Sequence, residues 1–260
     1  MGRVTLRFYA ELNDLLPLAL RKRPFACDFR PGQSVKHLIE NQGVPHTEVE
    51  LIIRRGESLN LDEPVADGDR LAVYPVFESF DARPLLRLRS RPLRRPRFVA
   101  DAHLGALARR LRMLGFDTLW FNDIGDAALA HLAADQHRIL LTRDRQLLMR
   151  QSITHGCYLR PGSTGAQLDY LIQRLDLCAE IAPFTRCTLC NAGLAAVDAA
   201  DLGASIPPTV RRRHIHYWRC QGCGRLYWRG THWQAMRRQI DSLCPGPAGT
   251  RGPARARKQT

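Results

Sequence analysis

Apolar and polar positions alternate over residues 3–9 (RVTLRFY), the pattern of a half-buried strand, and the alternation returns over 50–54 and 70–76. Between these strands, VKHLIENQG after Ser34 carries a helical period that stops at Gly43. Asp67-Gly68-Asp69, just ahead of the last strand, is a turn signal. Residues 1–80 therefore read as a compact α+β unit. From Arg97 the period changes. Strands are predicted at 98–100, 118–121, 138–142 and 157–159, with helices at about 103–114, 125–136 and 163–175. Strands separated by helices imply a parallel sheet with right-handed crossovers. In the first of these helices Leu104, Leu107, Leu111 and Leu114 recur at spacings of three and four, and Gly115 is placed as its stop.

Between the two units, residues 81–96 hold prolines and arginines with neither period, and they read as a mobile linker. RFYAEL near the start and VADGDRLAVYPV near residue 76 resemble the β-grasp fold of ubiquitin-like sulfur carriers. Those carriers act through a free C-terminal Gly-Gly, whereas here the last strand continues into Phe77-Glu78-Ser79-Phe80. The resemblance thus implies the fold and either a docking or RNA-positioning role, with a possible protein partner, or a structural appendage; it argues against sulfur transfer.

Charge changes the picture next. The net charge of +14 is unevenly placed. Lys and Arg outnumber Asp and Glu by 7 to 1 over 81–97 and 13 to 3 over 181–260, while the remaining stretches are near balance. Such segments suit a polyanion through counterion release; a solvated linker and tail is the plainer alternative. No stretch is long and apolar enough to span a membrane, and Met1 to Ala10 lacks the apolar core of a signal peptide, so the chain is expected to be cytoplasmic. In that reducing setting Cys27, Cys157, Cys178 and Cys244 read as ordinary thiols.

Three carboxylates fall where parallel α/β sheets gather their ligands, beyond the carboxyl ends of the strands. Asp101 ends the first strand of the central unit, Asp144 follows RILLT, and Asp126 opens the helix after the second strand, with Asp123 as its competitor. Oxygen donors of this kind suit Mg²⁺ or Mn²⁺. Asp is also a common residue at turns and helix N-caps, so the set alone leaves both readings open. FVADAHLGALARRLRMLGFDT, followed by RILLTRDRQLLMR, resembles the PIN-like ribonuclease domain named for the C-terminal region of a mutator exonuclease. The resemblance spans about residues 97 to 240. It implies an enzyme hydrolysing RNA phosphodiesters with Mg²⁺ or Mn²⁺ on Asp101, Asp126 and Asp144, and Arg109, Arg112, Arg143 and Arg145 as phosphate contacts. His103, beside Asp101, is a further candidate for positioning water. No P-loop supports nucleotide hydrolysis.

Cys187-Thr-Leu-Cys190 and Cys220-Gln-Gly-Cys223 are paired knuckles, each followed by a turn-forming residue, Asn191 or Gly224. Four thiolates make a closed, structural Zn²⁺ site. Tyr217, Trp218, Tyr227, Trp228 and Trp233 interleave with Arg219, Arg225 and Arg229 around the second knuckle. They suit either stacking on RNA or, for Trp218 and Trp228 above all, the core of the ribbon itself. Arg211-Arg212-Arg213 reads as part of a disordered insert. The expected architecture is multidomain α+β and α/β: a β-grasp unit (1–80), a linker (81–96), a PIN-like α/β nuclease (97–180), a zinc ribbon (181–243) and a disordered basic tail (244–260). A metal-dependent ribonuclease is the leading function; the alternatives are a non-catalytic RNA-binding adaptor and a protein-interaction module organised by the β-grasp unit.

Overall fold

The computed structural model describes residues 1–75 and 96–244. The expected linker, apart from residue 96, and the tail from 245 onward lie outside these described residues, as do residues 76–80.

The first unit contains strands β1 (Gly2–Phe8), β2 (Phe25–Phe29), β3 (Val49–Arg54), β4 (Glu57–Ser58) and β5 (Arg70–Pro75) and one helix, α1 (Val35–Glu40). Their order is β2-β1-β5-β3-β4, with β1 and β5 parallel at the centre and antiparallel neighbours outside. Alternation along β1 buries Val4, Leu6 and Phe8, and these meet Val35, Leu38 and Ile39 of α1 in one core. Ser34 caps α1 by accepting from His37 N. This is a β-grasp. The strands at 3–9, 50–54 and 70–76 were legible; β2 (FACDF) was not, because it is a half-exposed edge strand with a weak alternation.

The second unit holds β6 (Phe98–Ala100), α2 (Gly105–Met113), β7 (Thr118–Trp120), α3 (Asp126–Asp135), β8 (Ile139–Thr142), α4 (Arg145–Leu148), β9 (Gly156–Tyr158) and α5 (Thr164–Arg174). The four strands are parallel in the order β7-β6-β8-β9. Successive residues face opposite ways: Phe98, Ala100 and Leu141 pack with α2 and α5, while Val99 and Leu140 pack with α3 and α4. The result is a sheet between two helical layers. Gly115 ends the α2 region at φ +98°, and a Cβ there would lie 2.1 Å from Ala182 O. It therefore serves both as the helix stop and as the place where the chain leading into the ribbon crosses, with Ala182 N donating to Leu114 O.

The ribbon has three antiparallel strands, β10 (Leu194–Val197), β11 (Tyr217–Cys220) and β12 (Leu226–Trp228). Two expectations are corrected here. The insert between β10 and β11 is ordered: α6 (Pro208–Arg211) lies within it, and Leu202 and Ile206 bury against Tyr217. The final helix, α7 (Thr231–Leu243), returns to the second unit, where Met236 and Ile240 join the core of α2 and α5. That return brings Cys244 to Cys178, and the two form a disulfide across 66 residues rather than remaining separate thiols. Long-range pairing of this kind leaves no local spacing to read.

The β-grasp unit docks on the open edge of the parallel sheet. Glu48 accepts from Tyr158 N on the edge strand β9 at 2.7 Å and from the buried Arg174 guanidinium at 2.6 Å. The His46 ring contacts Ile153 O at 2.8 Å and Glu40 at 2.7 Å. Asp14 pairs with Arg160 just beyond the carboxyl end of β9. Covering β9 in this way removes a free edge that could pair with another chain.

Candidate active site and zinc centre

Asp101 follows β6 directly and Asp144 lies two residues past the end of β8, so the two neighbouring central strands deliver both carboxylates to one edge. The chain leaves β6 into α2 on one face and leaves β8 into α4 on the other, which makes this edge the topological switch point of the sheet. Thr142, the buried last residue of β8, ties the two acids together: its hydroxyl donates to Asp101 Oδ2 at 2.7 Å and accepts from Asp144 N at 3.0 Å. Asp144 also accepts from Gln146 N at 2.8 Å, capping α4, while its side chain stays open to solvent. The Thr-Arg-Asp motif is thus a positioning device, with the threonine as its hinge pin and Arg143 exposed between.

Asp126 is exposed in the first turn of α3 and forms no side-chain cap there; Asp123 is exposed in the loop before it. Among the described residues, the four knuckle cysteines form a group of metal-binding side chains whose donor atoms all lie within 4.8 Å, and the acidic residues form none. Asp101 and Asp144 end neighbouring strands at one edge, and no acidic trio forms such a group among the described residues. Their chemistry is that of hard oxygen donors, and Asp101 Oδ1 and Asp144 Oδ2 accept no hydrogen bond from the described residues. Those free oxygens fit Mg²⁺ or Mn²⁺. His103 is exposed in the turn after Asp101.

The four arginines divide evenly. Arg109 and Arg143 are exposed. Arg112 is 3% exposed and donates to Thr118 O (2.8 Å), Thr188 O (3.2 Å) and Leu189 O (2.7 Å), which fastens α2 to the first knuckle. Arg145 donates to Leu15 O at 2.8 Å and lies over the Tyr158 ring, which fastens α4 to the β-grasp unit. Arg112 is thus engaged by backbone carbonyls inside the protein, and Arg145 commits one guanidinium nitrogen to Leu15 O while staying half-buried. In sequence, arginines in a basic run look alike, and only burial separates them.

The cysteine cluster is built as the knuckle spacing predicts. Cys187 Sγ lies 3.7 Å from Cys223 Sγ, and Cys190 Sγ lies 3.4 Å from Cys220 Sγ. Tetrahedral zinc with bonds of about 2.3 Å separates its sulfurs by about 3.8 Å, so the cluster could hold Zn²⁺. Asn191 and Gly224 adopt positive φ, 68° and 72°, and turn the backbone so that amides aim at sulfur: Cys190 N at Cys187, Gly222 N and Cys223 N at Cys220. Burial pushes the Cys187 thiol up, yet the backbone amides and the Tyr227 hydroxyl, 3.0 Å away, together bring it down to about 6. Asn191 does more than turn the chain. Its side chain accepts from Thr118 N and donates to Asp117, and Asp117 also binds Arg138 and Arg186. This polar joint, invisible as a site in the sequence, seats the ribbon beside the amino end of β7, away from the carboxylate edge.

The profile of the Mut7-C RNAse domain matches residues 96–240, more than half of the chain. The chain belongs to the Mut7-C RNAse domain family. A second profile, Mut7-C ubiquitin, matches residues 1–81 of this Mut7-C protein. Among solved structures, small archaeal modifier protein 1 of H. volcanii is 20% identical over 29% of this chain and 98% of its own, with a TM-score of 0.23. A putative molybdopterin converting factor subunit 1 from Pyrococcus furiosus is 21% identical over 29% and 98%, with a TM-score of 0.24. No curated protein matches the Mut7-C chain. Among the described residues no helix is long and apolar enough to cross a membrane.

Proposed function

We propose that this Mut7-C protein is a Mg²⁺- or Mn²⁺-dependent ribonuclease of the PIN-like kind, with Asp101, Asp144 and Asp126 as its acidic site. The observation that carries the reading is the Thr142 hydroxyl, which holds Asp101 and the Asp144 backbone at the switch point of a parallel sheet. The RNAse family match supports RNA as the substrate. A divalent ion on these oxygens would supply activation of water and neutralisation of the charge that develops on phosphate. Asp101 is oriented by Thr142 and keeps one oxygen free; Asp144 presents its second oxygen to solvent; Asp126 is the third acid, from the first turn of α3. Arg143 and Arg109 contact phosphates, a role suited to a planar, permanently charged fork. The β-grasp unit, anchored at Arg145 and Arg160, forms one wall of the approach and offers a surface for a protein partner. Zn²⁺ on the four cysteines is structural, and the ribbon with its basic flanks adds RNA affinity. A cytoplasmic location belongs to the same reading.

Among the described residues no acidic trio forms a metal-holding group as the four cysteines do, and this favours one rival, a non-catalytic RNA-binding adaptor. A mixed pool of structured and single-stranded RNAs, incubated with Mn²⁺, with Mg²⁺ and with neither, separates the two. Cleavage that requires the ion and disappears in folded Asp101→Asn and Asp144→Asn variants supports the nuclease. RNA binding without cleavage of any substrate supports the adaptor.

A further inference from the structure

A second feature lies along the same helix that starts beside Asp101. Between the C-terminal half of α2 and the ribbon runs a groove of about 660 Å³, within the range of about 300–1,000 Å³ typical of sites that hold small organic ligands. Its charge is one-sided. Arg109 comes from α2, Arg186 from the approach to the first knuckle and Arg225 from the turn after the second, and no Asp or Glu lines it. Arg109 and Arg225 are exposed and form no ion pair among the described residues. Between the guanidiniums stand flat rings: Tyr227 and Trp228 from β12 and Trp233 from α7. The rings are braced, since Trp233 meets Phe184 edge-on at 5.2 Å and Phe184 stacks on Trp218 at 4.2 Å. Tyr227 is pinned by its hydroxyl to Cys187 Sγ.

A groove that combines aromatic rings with guanidiniums matches a polymer that combines flat bases with phosphates. A duplex hides its bases in the stack, so the match is to an unpaired strand. We propose that this groove binds single-stranded RNA, taking one or two unpaired nucleotides by stacking on its aromatic walls and pairing their phosphates with Arg109 and Arg225. Because α2 joins the groove to the Asp101 edge, a strand gripped here has its neighbouring nucleotides delivered to the carboxylates. The inference rests on the ribonuclease reading for the identity of the polymer, and not on cleavage.

The test uses the full-length, zinc-loaded chain carrying Asp144→Asn, so that bound strands stay intact. Fluorescence anisotropy with a short labelled oligoribonucleotide of mixed sequence compares Arg109→Ala/Arg225→Ala with Arg30→Ala/Arg150→Ala, a pair of equal charge loss outside the groove. The expected result is at least a tenfold loss of affinity in the groove pair, a much smaller loss in the control pair, and partial recovery in Arg109→Lys/Arg225→Lys. Inorganic polyphosphate, which has charge and no bases, should bind both pairs alike. Equal losses of RNA affinity in the two pairs, or a groove pair that binds as tightly as its parent, overturn the proposal; so does a parent that binds the duplex form of the oligonucleotide as well as the single strand. Absence of cleavage by the wild type on every RNA would sink the nuclease reading and leave this result standing.

Discussion

At the scale of single residues, position in the sheet decides what a polar side chain does. Thr142 has two jobs in one oxygen, and the isosteric Thr142→Val removes both. Leaving Asp144 N without its acceptor should cost about 1–3 kcal/mol of stability, and cleavage should fall about tenfold or more, by analogy with losing one donor from a preorganised polar site. Thr142→Ser keeps the hydroxyl and should keep most of the activity, an outcome a purely packing role for the methyl group does not produce; kcat on a defined RNA is the readout. Asp117 offers a second test. Burial opposes its charge, but hydrogen bonds from Arg138 and Asn191 and the nearby Arg186 hold it below the usual carboxylate range. Its folded pKa is therefore below the unfolded value of about 3.9, so its stabilisation is full above that value and is lost as the pH falls through the folded one. Urea midpoints measured from neutral pH downward should drop in the wild type, and the acid branch should be shallower in Asp117→Asn.

At the scale of elements, the ribbon that carries the four cysteines is the piece whose order is expected to depend on a bound metal. Four cysteines whose sulfurs lie within 4.8 Å of one another resist ionising together unless a cation sits among them, and apparent zinc energies of about 10–16 kcal/mol exceed what the small Leu202–Ile206–Tyr217 core supplies. Removal of zinc by a strong chelator should abolish the β10–β12 signals and expose tryptophan, while the α/β sheet keeps its far-ultraviolet signature; tryptophan fluorescence together with circular dichroism follows both. The elements themselves were largely readable in advance. Period-two stretches such as RVTLRF and the leucine ladder of α2 announce their faces, and the knuckles announce their four-cysteine cluster through spacing alone. What escaped was carried by residues whose chemistry is ambiguous until they are buried. Arg112 and Arg145 looked like surface cations, yet each reaches main-chain carbonyls of another unit, Arg112 fully buried and Arg145 half-buried. The acidic edge was legible as two strand ends, whereas Asp126 stays on its own helix, because a helix N-terminus and a metal site favour the same residue type.

At the scale of the whole molecule, the β-grasp unit and the nuclease are joined through a buried charge. Glu48 bridges the β9 backbone and Arg174 Nη1, which also donates to the Tyr170 hydroxyl, while the buried Arg174 Nε and Nη2 make no hydrogen bond among the described residues. Truncation at Glu48 strands that cation. Glu48→Ala should destabilise the chain by about 3–5 kcal/mol, whereas Glu48→Met with Arg174→Met should recover most of the loss, since a well-packed apolar pair avoids the desolvation cost. Thermal unfolding should show one transition for the β-grasp and nuclease units in the wild type and two in Glu48→Ala.

The bond between Cys178 and Cys244 turns residues 178–244 into a closed ring, and the entire ribbon, knuckles included, lies on its circumference. A ribbon without its metal would therefore be a slack hoop, closed by this bond and moored by α7, never a free-swinging arm. Closing a loop of this size reduces the freedom of the disordered hoop by about 4 kcal/mol, so recapture of the metal begins from a chain already gathered to its docking face. Reduction would open the hoop, and the same zinc ion would then have to order a chain with one loose end.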